Sequence, residues 1–239
     1  MSQSMEPSAA STGLMAFWAR IDADYLLRFQ QWHNCEHVPE RVSIPGFLRG
    51  RRYRDLEGAP FFLMFYETVD STCLGSPPYL AALNSPTPWT KEALGHFREP
   101  ARNVYTLRAQ FGNAAANPAP YLTTMRFNLD AKLVEDLQSN WLSKIETLPA
   151  VRRVRLFEVD ETITAITTSE RKIYGDGPGA QQYAVFVEAN VPHAAWSDSV
   201  ATALSHAFAG NDPRANLRSD RLWLEFGYTA SLRTMDEHK

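Results

Sequence analysis

The sequence predicts an α+β chain: two consecutive βαββαβ units whose four-stranded antiparallel sheets pack face to face as a pseudo-symmetric α/β barrel. Three observations carry this expectation. They are an internal repeat, a strand and helix pattern that runs twice in one order, and sheets whose second face is apolar and must be covered, the alternative being two independent domains side by side. Ile44-Pro45-Gly46-Phe47-Leu48-Arg49-Gly50-Arg51-Arg52-Tyr53 matches Leu148-Pro149-Ala150-Val151-Arg152-Arg153-Val154-Arg155-Leu156-Phe157 in its apolar, basic and proline positions. Ala93-Leu94-Gly95-His96-Phe97 answers Ala203-Leu204-Ser205-His206-Ala207-Phe208, and the run from Leu107 to Asn113 answers that from Leu222 to Tyr228. The three matches keep their order, at separations of 104, 110 and 115 residues.

In the first unit, Leu14–Arg20 is a strand rich in large apolar residues. Asp24–His37 is a helix, entered through Asp22 or Asp24 as caps and stopped by Pro39, whose ring disfavours helix at Val38. Phe47–Arg54 and Pro60–Val69 are strands joined by the short Glu57-Gly58 turn. Pro78–Phe97 is a second helix, broken or preceded by Ser85-Pro86-Thr87-Pro88, and Val104–Phe111 closes the unit as a strand. The second unit repeats this plan: strand Tyr121–Leu129, helix Ala131–Ile145, strands Val151–Val159 and Tyr183–Ala189, helix Ala194–Phe208, strand Leu222–Leu232. The connector Gly112–Pro120 is small-residue and proline-rich, which makes it the seam. Glu161–Gln182, around Gly175-Asp176-Gly177-Pro178-Gly179, is a loop of about 20 residues, a length that in a compact domain marks a functional or mobile segment. The expected division is a disordered tail at 1–13, a first unit at 14–113 holding the active site, a linker at 114–120 and a degenerate second unit at 121–239.

Composition excludes several classes. With 239 residues, 44% hydrophobic and 12% aromatic, the chain has ample core material, so neither disorder nor a disulfide miniprotein fits. No apolar run approaches the ~18–20 residues of a membrane span, and the first residues lack the basic segment and apolar core of a signal peptide. Cys35 and Cys73 are the only thiols, consistent with a cytoplasmic protein. The net charge of −3 is spread evenly: 11 Lys and Arg against 11 Asp and Glu in residues 1–119, 13 against 16 in residues 120–239. No nucleic-acid footprint results. The expected partner is a small molecule, or a second copy of the chain in a homodimer.

The chemistry concentrates in Trp32-His33-Asn34-Cys35-Glu36-His37-Val38-Pro39-Glu40-Arg41-Val42-Ser43-Ile44-Pro45-Gly46-Phe47. At about 100° per residue, Leu26, His33 and His37 share one helical stripe, with Phe29 and Glu36 on its flank. The helix C-terminus raises the pKa of His37 and burial lowers it, and a histidine near neutrality is what acid/base catalysis needs. The corresponding helix of the second unit reads Trp141-Leu142-Ser143-Lys144-Ile145-Glu146 and has no histidine pair, which favours function over a shared fold requirement. The plainer alternative is two histidines hydrogen-bonded at a helix end. His33-x-x-Glu36-His37 also fits the H-x-x-E-H zinc pattern, but no third ligand stands out and no metal is expected. His96 and His206 hold equivalent places, so the fold explains both; His96 stays a secondary catalytic candidate. On the basic strand Arg49, Arg51 and Tyr53 alternate to one face and Arg52 and Arg54 to the other. One or two of these can meet a substrate carboxylate or enolate.

The segment Trp32-His33-Asn34-x-Glu36-His37-x-Pro39-Glu40-Arg41, followed by Ile44-Pro45-Gly46-Phe47 and the Arg-rich strand ending in Tyr53, resembles EthD-like members of the dimeric α+β barrel superfamily of ferredoxin-like units. Such members are single units that dimerise sheet to sheet, so the resemblance implies a fused, tandem version with one active site per chain. It also implies a cofactor-free protein in which a histidine at the barrel mouth moves the proton, here His37 and with it His33. The reading is a cofactor-independent lyase or isomerase acting on a hydrophobic aromatic or cyclic small molecule. The substrate would lie in the cavity of the first unit, against Trp18, Phe47, Tyr53 and Phe65. His37 exchanges the proton, Glu36 or Asn34 orients it, and His33 or a basic-strand residue such as Arg51 stabilises oxyanion charge. The alternatives are a non-catalytic binding protein of the same fold, a zinc-dependent hydrolase and a cofactor-free monooxygenase.

Overall fold

A computed structural model describes residues 11–112, 118–175, 178–192 and 216–230. Eight strands run through them: β1 (Gly13–Ile21), β2 (Phe47–Asp55), β3 (Phe61–Thr68), β4 (Phe97–Gly112), β5 (Tyr121–Phe127), β6 (Val151–Val159), β7 (Tyr183–Ala189) and β8 (Arg218–Thr229). They close into an antiparallel barrel in the order β1-β3-β2-β8-β5-β7-β6-β4. Within each half the order is that of a βαββαβ sheet. Between halves, β2 pairs with β8 and β4 with β6, so closure needs no second chain and leaves no open edge.

Both faces of the first sheet are buried, which is why β1 reads as a continuous apolar run rather than an alternating one. Leu14, Ala16 and Trp18 point into the barrel, where they meet Tyr53, Leu63, Phe65, Tyr105, Phe157 and Phe186. Met15, Phe17 and Ala19 point outward, beneath the helices of the first half. The middle of the barrel is thus filled with aromatic side chains. A depression of about 900 Å3 opens at one end, floored by Trp18 and Arg126.

The helix after β1 differs from expectation. It consists of α1 (Leu26–Trp32), a π turn at His33–His37 and α2 (Val38–Val42), so it continues past Pro39. The Val38 N–H reaches the His33 carbonyl, five residues back. That wider turn lets the proline ring pass the carbonyl it would meet in a regular α-helix. The second half makes the same turn at Leu137–Leu142 between α5 (Ala131–Asp136) and α6 (Ser143–Glu146), with no proline in it. The fold therefore supplies the turn, and Pro39 is tolerated by it. The entry to β2 repeats as well. Gly46 has φ +89°, with Cys73 Sγ only 2.5 Å from where a Cβ would stand, and its counterpart Ala150 holds φ +66°.

The second helical stretch of the first half is broken as the prolines suggest, into α3 (Pro77–Asn84) and α4 (Pro88–Leu94). β4 begins at Phe97, seven residues before the expected start at Val104. The Glu161–Gln182 loop contains two short helices, α7 (Glu161–Thr164) and α8 (Ser169–Tyr174). The expected helix Ala194–Phe208, with His206, and residues 1–10 of the expected tail lie outside the described residues. No helix among the described residues is long and apolar enough to cross a membrane.

Candidate functional site

The apolar side of α1 and the π turn lies on the outer face of β1 and β3, and this carries both histidines inward. His33 is 1% exposed and His37 9%. Their ring centroids are 5.8 Å apart, and His37 leans on Trp32 at 4.4 Å. Arg52 Nη1 donates to His33 Nδ1 at 3.0 Å. A guanidinium has no acceptor, so Nδ1 is the bare nitrogen and His33 is neutral with its proton on Nε2. Arg52 is held in turn by Glu225 of β8, at 2.6 Å. Burial, and then Arg52, push the His33 pKa well below the usual imidazole value. Burial, then Arg41 and His33, do the same to His37. His37 Nδ1 is buried with no hydrogen-bond partner among the described residues.

Between the helices and the sheet lies a narrow slot. Its volume is about 40 Å3. Aromatic and aliphatic side chains form most of its wall, including Phe17, Trp32, Tyr66 and Leu83, with His33 and His37 on one side. The remaining wall comes from the second half. α7 and α8 leave the β6 to β7 connection and dock on the first half: Thr164 Oγ1 accepts from the Val104 N–H at 2.8 Å, and Asn84 Oδ1 accepts from the Ser169 N–H at 3.0 Å. This brings Thr168, Glu170 and Tyr174 to the slot, with the Tyr174 ring 5.0 Å from that of Phe17.

Glu170 is 5% exposed and accepts a hydrogen bond from Arg41 Nη2. Burial raises its pKa more than Arg41 lowers it, so the carboxyl is pushed up to about 7. Opposite, Arg102 Nη2 donates to the Tyr79 hydroxyl at 3.2 Å, and the Tyr66 hydroxyl is buried without a partner among the described residues. The slot is thus an aromatic pocket that holds two neutral imidazoles, two guanidiniums and one carboxyl. In the second half, 104 residues on from His33, His37 and Arg41, stand Leu137, Trp141 and Ile145, and Leu137 and Ile145 are buried in a hydrophobic core cluster against which Trp141 packs.

The expected site residues divide between two faces of one sheet. His33 and His37 meet in the slot. Trp18, Tyr53 and Phe65 face the barrel interior, on the other side of the strands, and Arg51 lies there against Glu67. Phe47 packs in the helix-side core beside Tyr66 and Tyr79 without lining the slot. Asn34 is half-buried, with its Oδ1 unpartnered among the described residues. Glu36 turns away from His37: it accepts from Thr87 Oγ1 at 2.6 Å and Thr90 Oγ1 at 3.2 Å, tying the π turn to α4. Replacing Glu36 by Ala is therefore expected to cost about 2 kcal/mol, read as a lower Tm, without the hundredfold loss of turnover that marks a proton donor. His96 stacks on Tyr25 at 3.8 Å and pairs with Asp22 at 3.0 Å, away from the slot.

With Glu36 so engaged and Arg52 on His33 Nδ1, the H-x-x-E-H spacing does not gather its three side chains. Among the described residues the grouping with metal-ligand spacing is Asp22, Asp24 and His96, and there Asp22 already meets Arg98 at 2.6 Å. Glu170, Arg41, Arg102, Tyr66 and Tyr79 were not singled out from sequence. The usable signals were the unusual length of the 161–182 loop and the i, i+4 spacing of His37 and Arg41.

No protein-family profile and no curated protein sequence matches the chain. Solved structures do. An anthrone oxidase-like protein superposes with TM-score 0.61 at 8% identity, over 93% of this chain and 95% of that one. A protein named as a monooxygenase from Fusobacterium nucleatum subsp. nucleatum ATCC 25586 gives TM-score 0.58 at 9% identity, over 93% and 96%. Another so named, from Lactobacillus acidophilus NCFM, gives 0.54 at 8%, over 92% and 97%. At such identities the likeness is one of fold. The fold is the dimeric α+β barrel, here closed within a single chain.

Proposed function

We propose that the chain binds a hydrophobic cyclic small molecule in the slot of the first half. There it acts as a cofactor-independent lyase or isomerase, with His37 as the group that moves the proton. One observation carries this reading: a buried neutral imidazole whose Nδ1 has no hydrogen-bond partner among the described residues, inside an otherwise aromatic pocket. Leaving a buried polar atom unsatisfied costs about 1–3 kcal/mol, so a ligand group that bonds it gains by about that amount. The EthD-like pattern at residues 32–47 supports the same choice of residue. The space open to water is small, so α8 or α3 moves outward as the substrate enters.

The test is His37→Ala against a panel of cyclic ketones and phenols. Turnover falls at least about 100-fold while the circular dichroism spectrum stays that of the wild type. A fully active variant would refute the reading. A second reading, a cofactor-free monooxygenase, is favoured by the names of two of the superposing proteins. It begins with the same deprotonation and takes dioxygen as oxidant, so oxygen consumption separates the two.

A further inference from the structure

The slot contains a second proton-bearing group, and it comes from the other half of the molecule. Glu170 reaches the slot on α8, inside an insertion between β6 and β7 that has no counterpart in the hairpin of β2 and β3. The charged and titratable groups around it come from several elements. Arg41 and Glu40 stand on α2, Tyr66 on β3, Tyr79 on α3, Arg102 on β4 and Tyr174 on α8 itself. Arg41 is the hinge of this cluster: its guanidinium acts on His37 from one side and bonds Glu170 on the other. Glu40 meets Arg41 at 3.4 Å, is half-buried, and its charge adds to the rise of the Glu170 pKa.

We propose that Glu170 is the catalytic acid that works opposite His37: it gives its proton to the oxygen of a bound cyclic ketone while His37 takes one from the neighbouring carbon. This rests on the function proposed above and names its substrate class, a ring ketone with an enolisable C–H next to its carbonyl. The step balances. The C–H bond breaks, its proton goes to the bare nitrogen of His37, and its electron pair forms the C=C bond. The carbonyl π pair takes the Glu170 proton, which completes the enol. Glu170 becomes a carboxylate already seated on Arg41, and the imidazolium formed at His37 is balanced by it.

Burial makes this division of labour workable. For exposed groups near neutral pH the carboxyl would be ionised and unable to act as acid. In the slot, desolvation favours the uncharged form of each, so a protonated Glu170 and a neutral His37 coexist. The acid form of Glu170 is present below about 7 and is lost as pH rises through that value. Catalysis should therefore decline on the alkaline side, the reverse of a mechanism that uses ionised glutamate as base.

The experiment follows deuterium exchange at the methylene next to the carbonyl of 2-indanone and of 2-tetralone by proton NMR in D2O, with the intact chain. Wild type exchanges above the buffer rate, declining as pH rises through about 7. Glu170→Gln lowers the rate about 100-fold and flattens that limb, since an amide bonds but gives up no proton. Glu170→Asp recovers part of the rate and keeps a limb. A purely structural Glu170 predicts that Gln serves as well as Glu; a Gln variant with wild-type rate and profile, beside an inactive His37→Ala, overturns the role of Glu170 and leaves that of His37 standing. An active His37→Ala, or a wild type that exchanges neither probe, overturns both. If Glu170→Gln does not fold, Glu170→Asp decides, and a profile unchanged from wild type overturns the proposal.

Discussion

Glu67→Gln is expected to destabilise the protein by about 3–5 kcal/mol and to lower its Tm by roughly 10 °C or more. Glu67 is 1% exposed and sits at one end of the barrel among four guanidiniums. Arg49 meets it at 2.9 Å, Arg51 at 3.8 Å and Arg153 at 3.7 Å, and Arg155 donates to it as well. Glu188 is the second carboxylate of this cluster, bonded by Arg153 at 2.8 Å and Arg155 at 2.6 Å. The arrangement follows the internal repeat: Arg49, Arg51 and Glu67 come from the first half, Arg153, Arg155 and Glu188 from the second. Among the described residues, two acids thus hold four bases in a low-dielectric interior. Removing one acid leaves guanidiniums that cannot shed their charge, since arginine does not deprotonate in proteins. The cost is that of a buried, uncompensated charge rather than of one ion pair.

The same geometry fixes the direction of the acid response. Burial alone would raise the Glu67 pKa, but Arg155, Arg51, Arg49 and Arg153 together hold it well below the carboxylate range. Glu188 is lowered too, burial again being overcome, by Arg155 and Arg153. A depressed folded-state pKa means stability that is complete above the unfolded value of about 4.3 and lost as pH falls below it. Wild type should therefore lose stability steeply below about pH 4, and Glu67→Gln should show a shallower decline from a lower start. Thermal unfolding between pH 3 and 7 measures both. A variant within two degrees of wild type at pH 7 would contradict the account.

That network shows what a single sequence made legible. The Arg-rich match at a separation of 104 residues disclosed the duplication, and strand alternation placed Arg49, Arg51 and Tyr53 on one face, as found. Sheet pairing then followed from the order of elements. The identity of that face was less accessible. Arginine in a row reads as surface, and only the pairing of β2 with β3 and β6 with β7 puts Glu67 and Glu188 opposite the arginines. Helix continuation past Pro39 was hidden for a similar reason. The proline rule assumes an α-helical turn, and the π turn that relaxes it leaves no mark in the side-chain pattern.

The site was half legible. His33 and His37 stand out because they share a stripe that the second half replaces with Leu137 and Trp141. Glu170 lies 133 positions from His37, on a loop whose docking depends on hydrogen bonds such as Thr164 to Val104. No local period encodes that contact. The loop's length was a signal that it does something; its destination required the fold. The expected wall residues Trp18, Tyr53 and Phe65 lie across the sheet from His37, because alternation gives two faces and does not say which one a ligand meets.

Phe65→Ala tests that divergence and is the second large effect expected, a loss of about 3–5 kcal/mol. Phe65 is 1% exposed in the barrel interior, stacked on Tyr53 at 5.7 Å, tilted against Phe186 at 5.7 Å and beneath the Arg51 guanidinium at 5.9 Å. Its neighbours along β3, Met64 and Tyr66, face the slot instead. Removing the ring leaves a cavity between two sheets that hydrogen bonds hold on both sides, so the walls cannot collapse to fill it. The lost contacts and the cavity both count against the fold. A residue that lines a substrate site behaves otherwise: its truncation weakens ligand binding and changes stability little. Thermal melts and anthrone binding by tryptophan quenching therefore give opposite answers for the two roles. A lower Tm with unchanged binding places Phe65 in the core that holds the halves together; unchanged Tm with weakened binding would put the ligand in the barrel and contradict the catalytic role proposed for the slot that His37 and Glu170 line.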